Sequence, residues 1–191
     1  MAGETRERMI EATVAALQQR GVAGMSFTDV LASSGAARGA IYHHFPGGKA
    51  QLVAEAAERN GCEVRARLAA LPAEHPATVV GAFLELVRPV VEASAAGGGC
   101  AVAAVTVGAG TAADDATLRQ VAASAFTGWV DQLAERLTAA GLAPAAAADL
   151  AATLITLLQG AHVLCRAAGD VEPFERVVRT ANALVGHRYP D

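Results

Sequence analysis

Apolar residues in this chain recur with the period of one face of an α-helix. Ile10, Val14 and Leu17 form such a stripe and predict a helix over residues 5–19, with Gly21 placed to end it in a left-handed turn. Ser26, three positions before Asp29, is a capping-box-like start for a second helix, with Thr28 an alternative cap. Phe27, Val30 and Leu31 give that helix a side to pack back on the first, and Ser33-Ser34-Gly35 ends it. A third helix is expected over 36–44, anchored by Ile41 and Phe45. Pro46 stops it, because the residue before a proline disfavours the α region. Gly47-Gly48 then leads into a fourth helix over 49–70, with Leu52, Val53 and Ala56 on its inner side.

Longer stripes follow. Pro72 and Pro76 bracket a linker, and Val80, Phe83, Leu84 and Val87 predict a helix over 77–93, in which Pro89 is expected to kink or shorten the last turns. Gly97-Gly98-Gly99 is a loop, residues 100–107 (Cys100 and Val105 among them) are apolar all round, and Gly108-Ala109-Gly110 is another break. Leu118, Val121, Ala125, Phe126, Trp129, Leu133 and Leu137 mark a long helix over 114–140, ended by Gly141. Pro144 opens a helix to about residue 168, with Leu150, Leu154, Leu157, Leu158, Ala161 and Cys165 as its core string. After a turn at Gly169-Asp170, Phe174, Val177, Val178, Ala181, Leu184 and Val185 define a last helix over 172–186. No alternating strand pattern and no repeat is present. The expected fold is all-α, with about nine helices.

Two short helices joined by a tight turn at 26–44 match a helix-turn-helix, whose second helix enters the DNA major groove. That second helix carries few core residues but keeps Arg38, Tyr42, His43 and His44, while the small Ala37 and Ala40 permit close approach to a surface. A lone arginine is usually a solvated surface charge, and His43 and His44 are a poor metal pair because helix neighbours point about 100° apart.

Composition changes the picture in two ways. An apolar fraction of 53% with only 4% aromatics, much of it alanine, favours closely packed helices. The net charge of −4 argues at first against nucleic acid. Within residues 1–50, however, Arg6, Arg8, Arg20, Arg38 and Lys49 face Glu4, Glu7, Glu11 and Asp29, a balance of +1 that leaves −5 for the remainder. Cys62, Cys100 and Cys165 fit neither a disulfide framework nor a zinc pattern, so a reducing cytoplasm is expected, with no metal and no cofactor. No secretion signal is visible at the start. The run 93–113 is rich in Gly and Ala, and the run 150–165 is short and holds Gln159 and His162, so neither is expected to span a membrane.

The run Phe27-Thr28-Asp29-Val30-Leu31, then Gly35, then Gly39-Ala40-Ile41-Tyr42-His43-His44-Phe45-Pro46-Gly47-Gly48-Lys49-Ala50-Gln51-Leu52 resembles the signature of the TetR family of bacterial transcriptional regulators. It covers about a quarter of the chain. Its His-His-Phe-Pro-Gly-Gly-Lys wording and the later Gly-Gly-Cys lean towards the LmrA/YxaF-like branch. The resemblance implies a helix-turn-helix DNA-binding domain at 1–48, and a ligand-binding and dimerisation domain at 49–191 reached through the fourth helix. It further implies a homodimer through the last two helices, a palindromic double-stranded operator, and repression relieved by a small lipophilic ligand. Carried over residue by residue, Thr28 matches a phosphate contact and Arg38 and Ala40 match base-edge positions. Tyr42 and His43 match contacts to phosphate or a thymine methyl, and Lys49 matches a phosphate-binding lysine. Ala36-Ala37-Arg38 departs from the family's usual Val-Ser-Lys/Arg, which removes a hydroxyl that would reach a phosphate.

For the ligand, Phe83, Val87, Cys100, Val105, Phe126, Trp129, Gln159 and His162 are the candidate lining. Trp129 and Phe126 sit at core spacing, yet the lone tryptophan of an aromatic-poor body is a fair pocket wall. Gln159 and His162, three apart on one helix face, either line that pocket or bond across the dimer interface. Two other functions stay open: a redox regulator acting through Cys100, and a helical enzyme for a hydrophobic small molecule, although no catalytic constellation supports the latter.

Overall fold

A computed structural model describes residues 2–106 and 112–189, and the expected break at 108–110 lies outside them. The described residues form nine helices and no strand. These are α1 (Ala2–Gly24), α2 (Phe27–Ser34), α3 (Ala40–His44), α4 (Gly48–Ala69), α5 (Pro76–Ala95), α6 (Ala101–Ala104), α7 (Ala112–Ala139), α8 (Pro144–Ala168) and α9 (Glu172–Arg188). They divide into two compact units. Met1–Cys62 with Cys100–Ala125 form the first, and Glu63–Gly99 with Phe126–Asp191 form the second. Residue 48, the expected domain limit, marks the start of α4, whose first part belongs to the first unit as far as Cys62.

In the first unit α1 packs against α2 and α6. Met9, Ile10 and Leu17 of α1 are buried with Val30, Ile41, Phe45, Leu52, Val53, Val102 and Val105. Each such side chain removed from water contributes roughly 1.5–3 kcal/mol. The first helix breaks at Gly21, its expected end. At Gly21 the backbone has φ 67 and ψ −177, a conformation essentially restricted to glycine, and a short helical segment continues beyond the kink.

In the second unit α5, α8 and α9 pack pairwise around Val79, Val80, Phe83, Leu84, Leu154, Leu158, Ala161, Phe174 and Val185. Arg88 of α5 bonds Glu175 of α9 and also Glu85, and its guanidinium lies 5.5 Å from the Phe174 ring centroid. Its hydrogen bonds to Glu175 and then Glu85 push its already high pKa further up. The expected kink or shortening at Pro89 does not end α5, which continues to Ala95. Pro89 is on the exposed face, where the carbonyl it leaves unbonded meets water.

Helix α8 is buried on one face only. Leu157, Val163 and Leu164 of α8 and Leu184 of α9 are exposed, Val163 at 67% and Leu184 at 66%. By length and composition alone α8 could cross a membrane, with a mean hydropathy of 1.4. Its inner face nevertheless packs on α5 and α9.

Candidate nucleic-acid interface and ligand groove

The chemistry of the 26–49 stretch begins with its caps. Ser26 Oγ accepts from the Asp29 backbone N–H at 3.1 Å, so Ser26, and not Thr28, starts α2. Arg20 reaches the Asp29 carboxylate at 3.3 Å and holds this start to α1. At the other end Gly35 adopts the left-handed conformation, φ 66 and ψ 19. The N–H groups of Gly35 and Ala36 both donate to the Leu31 carbonyl.

This cap redirects the chain, and the third helix is shorter than expected. Residues 36–39 form a turn in which the Ala40 N–H donates to the Ala37 carbonyl at 2.9 Å, and α3 holds only five residues. Ala37 and Arg38 therefore stand in the turn before the reading helix. The alanines at 36 and 37 are good helix formers, but the left-handed exit at Gly35 outweighs their preference.

Thr28, Arg38 and Tyr42 nevertheless converge. With Phe27, Leu31, Ala32, Ala36 and Ile41 they line one open depression of about 600 Å³ between α2 and α3. Phe27 meets Tyr42 edge to face at 6.0 Å, which orients a tyrosine that is 67% exposed. Ala37 and His43 are exposed on the same segment and Ala40 is half-buried. The His43 and His44 rings pack edge to face at 5.0 Å, and no group of metal-binding residues occurs among the described residues.

Electrostatics single out Arg38. Arg6 pairs with Glu55 and stacks over Phe45, Arg8 bonds the Ser34 carbonyl at 3.0 Å, and Arg20 is bound to Asp29. Lys49 donates to the Met25 carbonyl at 2.7 Å. Among the described cations of residues 2–50, Arg38 is the exposed one with no protein partner.

The candidate ligand residues are not brought into one site. Cys100 and Val105 belong to the first unit, where Val105 is fully buried and Cys100 Sγ accepts from the Ala103 N–H at 3.4 Å as the cap of α6. In the second unit Phe83, Val87 and Trp129 are core. Phe126 is half-buried and meets Trp129 edge to face at 5.2 Å. Phe126 and Gln159 share an open groove of about 430 Å³ between α7 and α8 with Thr127, Val130, Ala152, Ile155 and Thr156. The Gln159 amide nitrogen is buried without a hydrogen-bond partner.

His162 turns away from that groove. Its Nδ1 lies 2.7 Å from Ser94 Oγ of α5, inside its own protomer. Ser94 Oγ is also 3.0 Å from the Val90 carbonyl. A hydroxyl has one proton and the carbonyl only accepts, so Ser94 gives its proton to Val90 and takes one from His162 Nδ1–H. Burial pushes the His162 pKa down to about 4 and keeps the ring neutral. Ser94 was not singled out by sequence reasoning, although the signal was there: it extends the stripe Val80, Val87, Val91 by one more turn.

Known proteins show the same layout. Residues 9–56 match the family described as bacterial regulatory proteins, tetR family. Residues 76–180 match the C-terminal domain of LmrA/YxaF-like transcriptional regulators. An uncharacterized HTH-type transcriptional regulator of Mycobacterium tuberculosis is 34% identical over 97% of this chain and 96% of its own length. The HTH-type transcriptional regulator LmrA of Bacillus subtilis is 26% identical over 90% and 91%. The crystal structure of a TetR transcriptional regulator from Chloroflexus aurantiacus superposes with a TM-score of 0.77 at 24% identity, covering 98% of this chain and 97% of that one.

Proposed function

Because the chain belongs to the TetR family of bacterial transcriptional regulators, with an LmrA/YxaF-like C-terminal domain, we propose that it is a homodimeric repressor released from its operator by a small lipophilic ligand. The observation that carries the DNA end of this reading is the convergence of Thr28, Arg38 and Tyr42 on one exposed depression, with Arg38 uncommitted to any protein partner. A free guanidinium in the major groove grips guanine O6 and N7 in a bidentate pair. Thr28, Tyr42 and His43 set register on phosphates, and the small Ala37 and Ala40 let the backbone approach. One free cation among the described residues of 2–50 is little charge for a polyanion, so two half-sites are read together, one helical turn or a multiple apart.

The exposed apolar residues of α8 and α9 support dimerisation through these helices, since a monomer rarely leaves so much apolar surface bare. The α7–α8 groove has the size of a small-molecule site and an apolar wall. A ligand that binds better to a conformation with mismatched reading helices depletes the operator-bound state by population shift. Such a regulator works in the cytoplasm, beside the DNA it controls.

Binding of purified protein to duplexes from its own upstream region, followed by fluorescence anisotropy, tests the reading. Arg38→Ala should lose about 1–3 kcal/mol of discrimination between the operator and an unrelated duplex. Failure of the wild type to prefer any upstream duplex would overturn it.

A further inference from the structure

Lys49 is placed differently from a residue held out for a phosphate. Its ammonium is half-buried and donates to the Met25 carbonyl at 2.7 Å. Met25 is itself buried and immediately precedes Ser26, the cap of α2. The bond therefore joins the first turn of α4 to the entry of α2. Two ion pairs continue the attachment along α4: Glu55 with Arg6, and Arg59 with Glu7 at 2.5 Å. Gln51 adds a local brace, accepting from the Gly47 N–H at 2.7 Å and donating to Glu55 at 2.9 Å. Pulling the lysine amine towards DNA would strip a charged donor from the carbonyl of a buried residue, which is a poor exchange for a solvated phosphate contact.

We propose that Lys49 is a positioning residue for operator reading, fixing α4 against the entry of α2 and so the pose of the α2–α3 pair, and not one of the phosphate contacts. This rests on the operator-binding reading above and deepens it. The two roles differ in what they do to binding. A phosphate contact strengthens every duplex alike and adds about 0.9 to the slope of log affinity against log salt. A positioning contact acts on the match between the reading surface and base edges, so it favours the cognate sequence and releases no counterion.

The test uses the full-length chain and two duplexes of equal length, one selected by the wild type from a random pool and one unrelated. Affinities are measured across a salt series for wild type and Lys49→Met. The expected result is a loss of about tenfold on the selected duplex, little change on the unrelated one, and a salt slope that stays at the wild-type value. Equal weakening on both duplexes with a slope reduced by about 0.9 would overturn the proposal, as would an unchanged ratio between the duplexes. A role in stability alone would lower the melting temperature without moving that ratio. If Lys49→Met fails to fold by circular dichroism, Lys49→Ala, which also removes the donor, is judged by the same criteria. A wild type that selects no sequence from the pool refutes operator binding itself, a result distinguishable from any failure of the lysine assignment.

Discussion

Replacing His162 by glutamine should flatten the acid dependence of stability. The buried imidazole titrates at about 4 in the folded chain against 6.5 when unfolded. Above pH 6.5 the ring is neutral in both states and its site contributes fully. As pH falls below 6.5 the unfolded chain binds a proton that the folded chain refuses, so stability declines until the folded ring also titrates near pH 4. The gap corresponds to about 3 kcal/mol per protomer in total, of which about 2 kcal/mol is lost between pH 7 and pH 5. The cause is burial of the ring between α5 and α8, with Nδ1 already committed to Ser94. Glu172 is held below the usual carboxylate range by Arg179 and then Arg176.

The assay is urea unfolding at pH 7 and pH 5 for wild type and His162→Gln, at one fixed protein concentration because the stability of any oligomer would depend on it. Glutamine keeps a hydrogen-bonding group near Ser94 but cannot titrate. The wild type should lose about 2 kcal/mol more than the variant between the two pH values. Equal losses would mean that the ring takes up its proton in the folded protein as readily as in water, and the reasoning would fail.

Two other outcomes follow from packing. Leu164→Glu combined with Leu184→Glu places charges on the exposed apolar faces of α8 and α9, and light scattering should report a monomer that has lost most of its operator affinity. Arg88→Ala removes bonds to Glu175 and Glu85 and the stacking on Phe174, and should cost about 2 kcal/mol, read from the urea midpoint.

Helices with an uninterrupted apolar stripe were legible in sequence almost to the residue. Pro144 and Gly169 bound α8 as punctuation suggests, and Phe174 through Val185 define α9. The misreadings fall where backbone geometry outweighs side-chain pattern. Ala36, Ala37 and Arg38 all favour helix, yet the left-handed Gly35 and its paired bonds to Leu31 spend four residues in a turn. Gly21 does interrupt the first helix where it was expected to end, but a short helical segment follows it. In the candidate sites, Thr28, Arg38 and Tyr42, singled out in the sequence as exposed chemistry on a short helix-turn-helix, do line one depression. Phe83, Val87, Val105 and Trp129 obey the same periodicity whether they face a core or a cavity, and the structure buries them as core. The partnership of His162 with Ser94 joins residues far apart in the chain, which no local pattern encodes.

The brevity of α3 has a thermodynamic consequence. Five residues barely exceed one turn, and helix nucleation carries an equilibrium penalty of about a thousandfold. In isolation this segment would be coil. Its order is borrowed from Ile41 and Phe45, which are buried in the first unit. On the proposed reading, operator affinity would be linked to local folding: only molecules with this turn formed would be competent to read, and the observed dissociation constant would rise as their fraction falls. Loosening Phe45 on the side remote from DNA would weaken recognition without touching a base, and a bound operator would in return slow the fraying of α3.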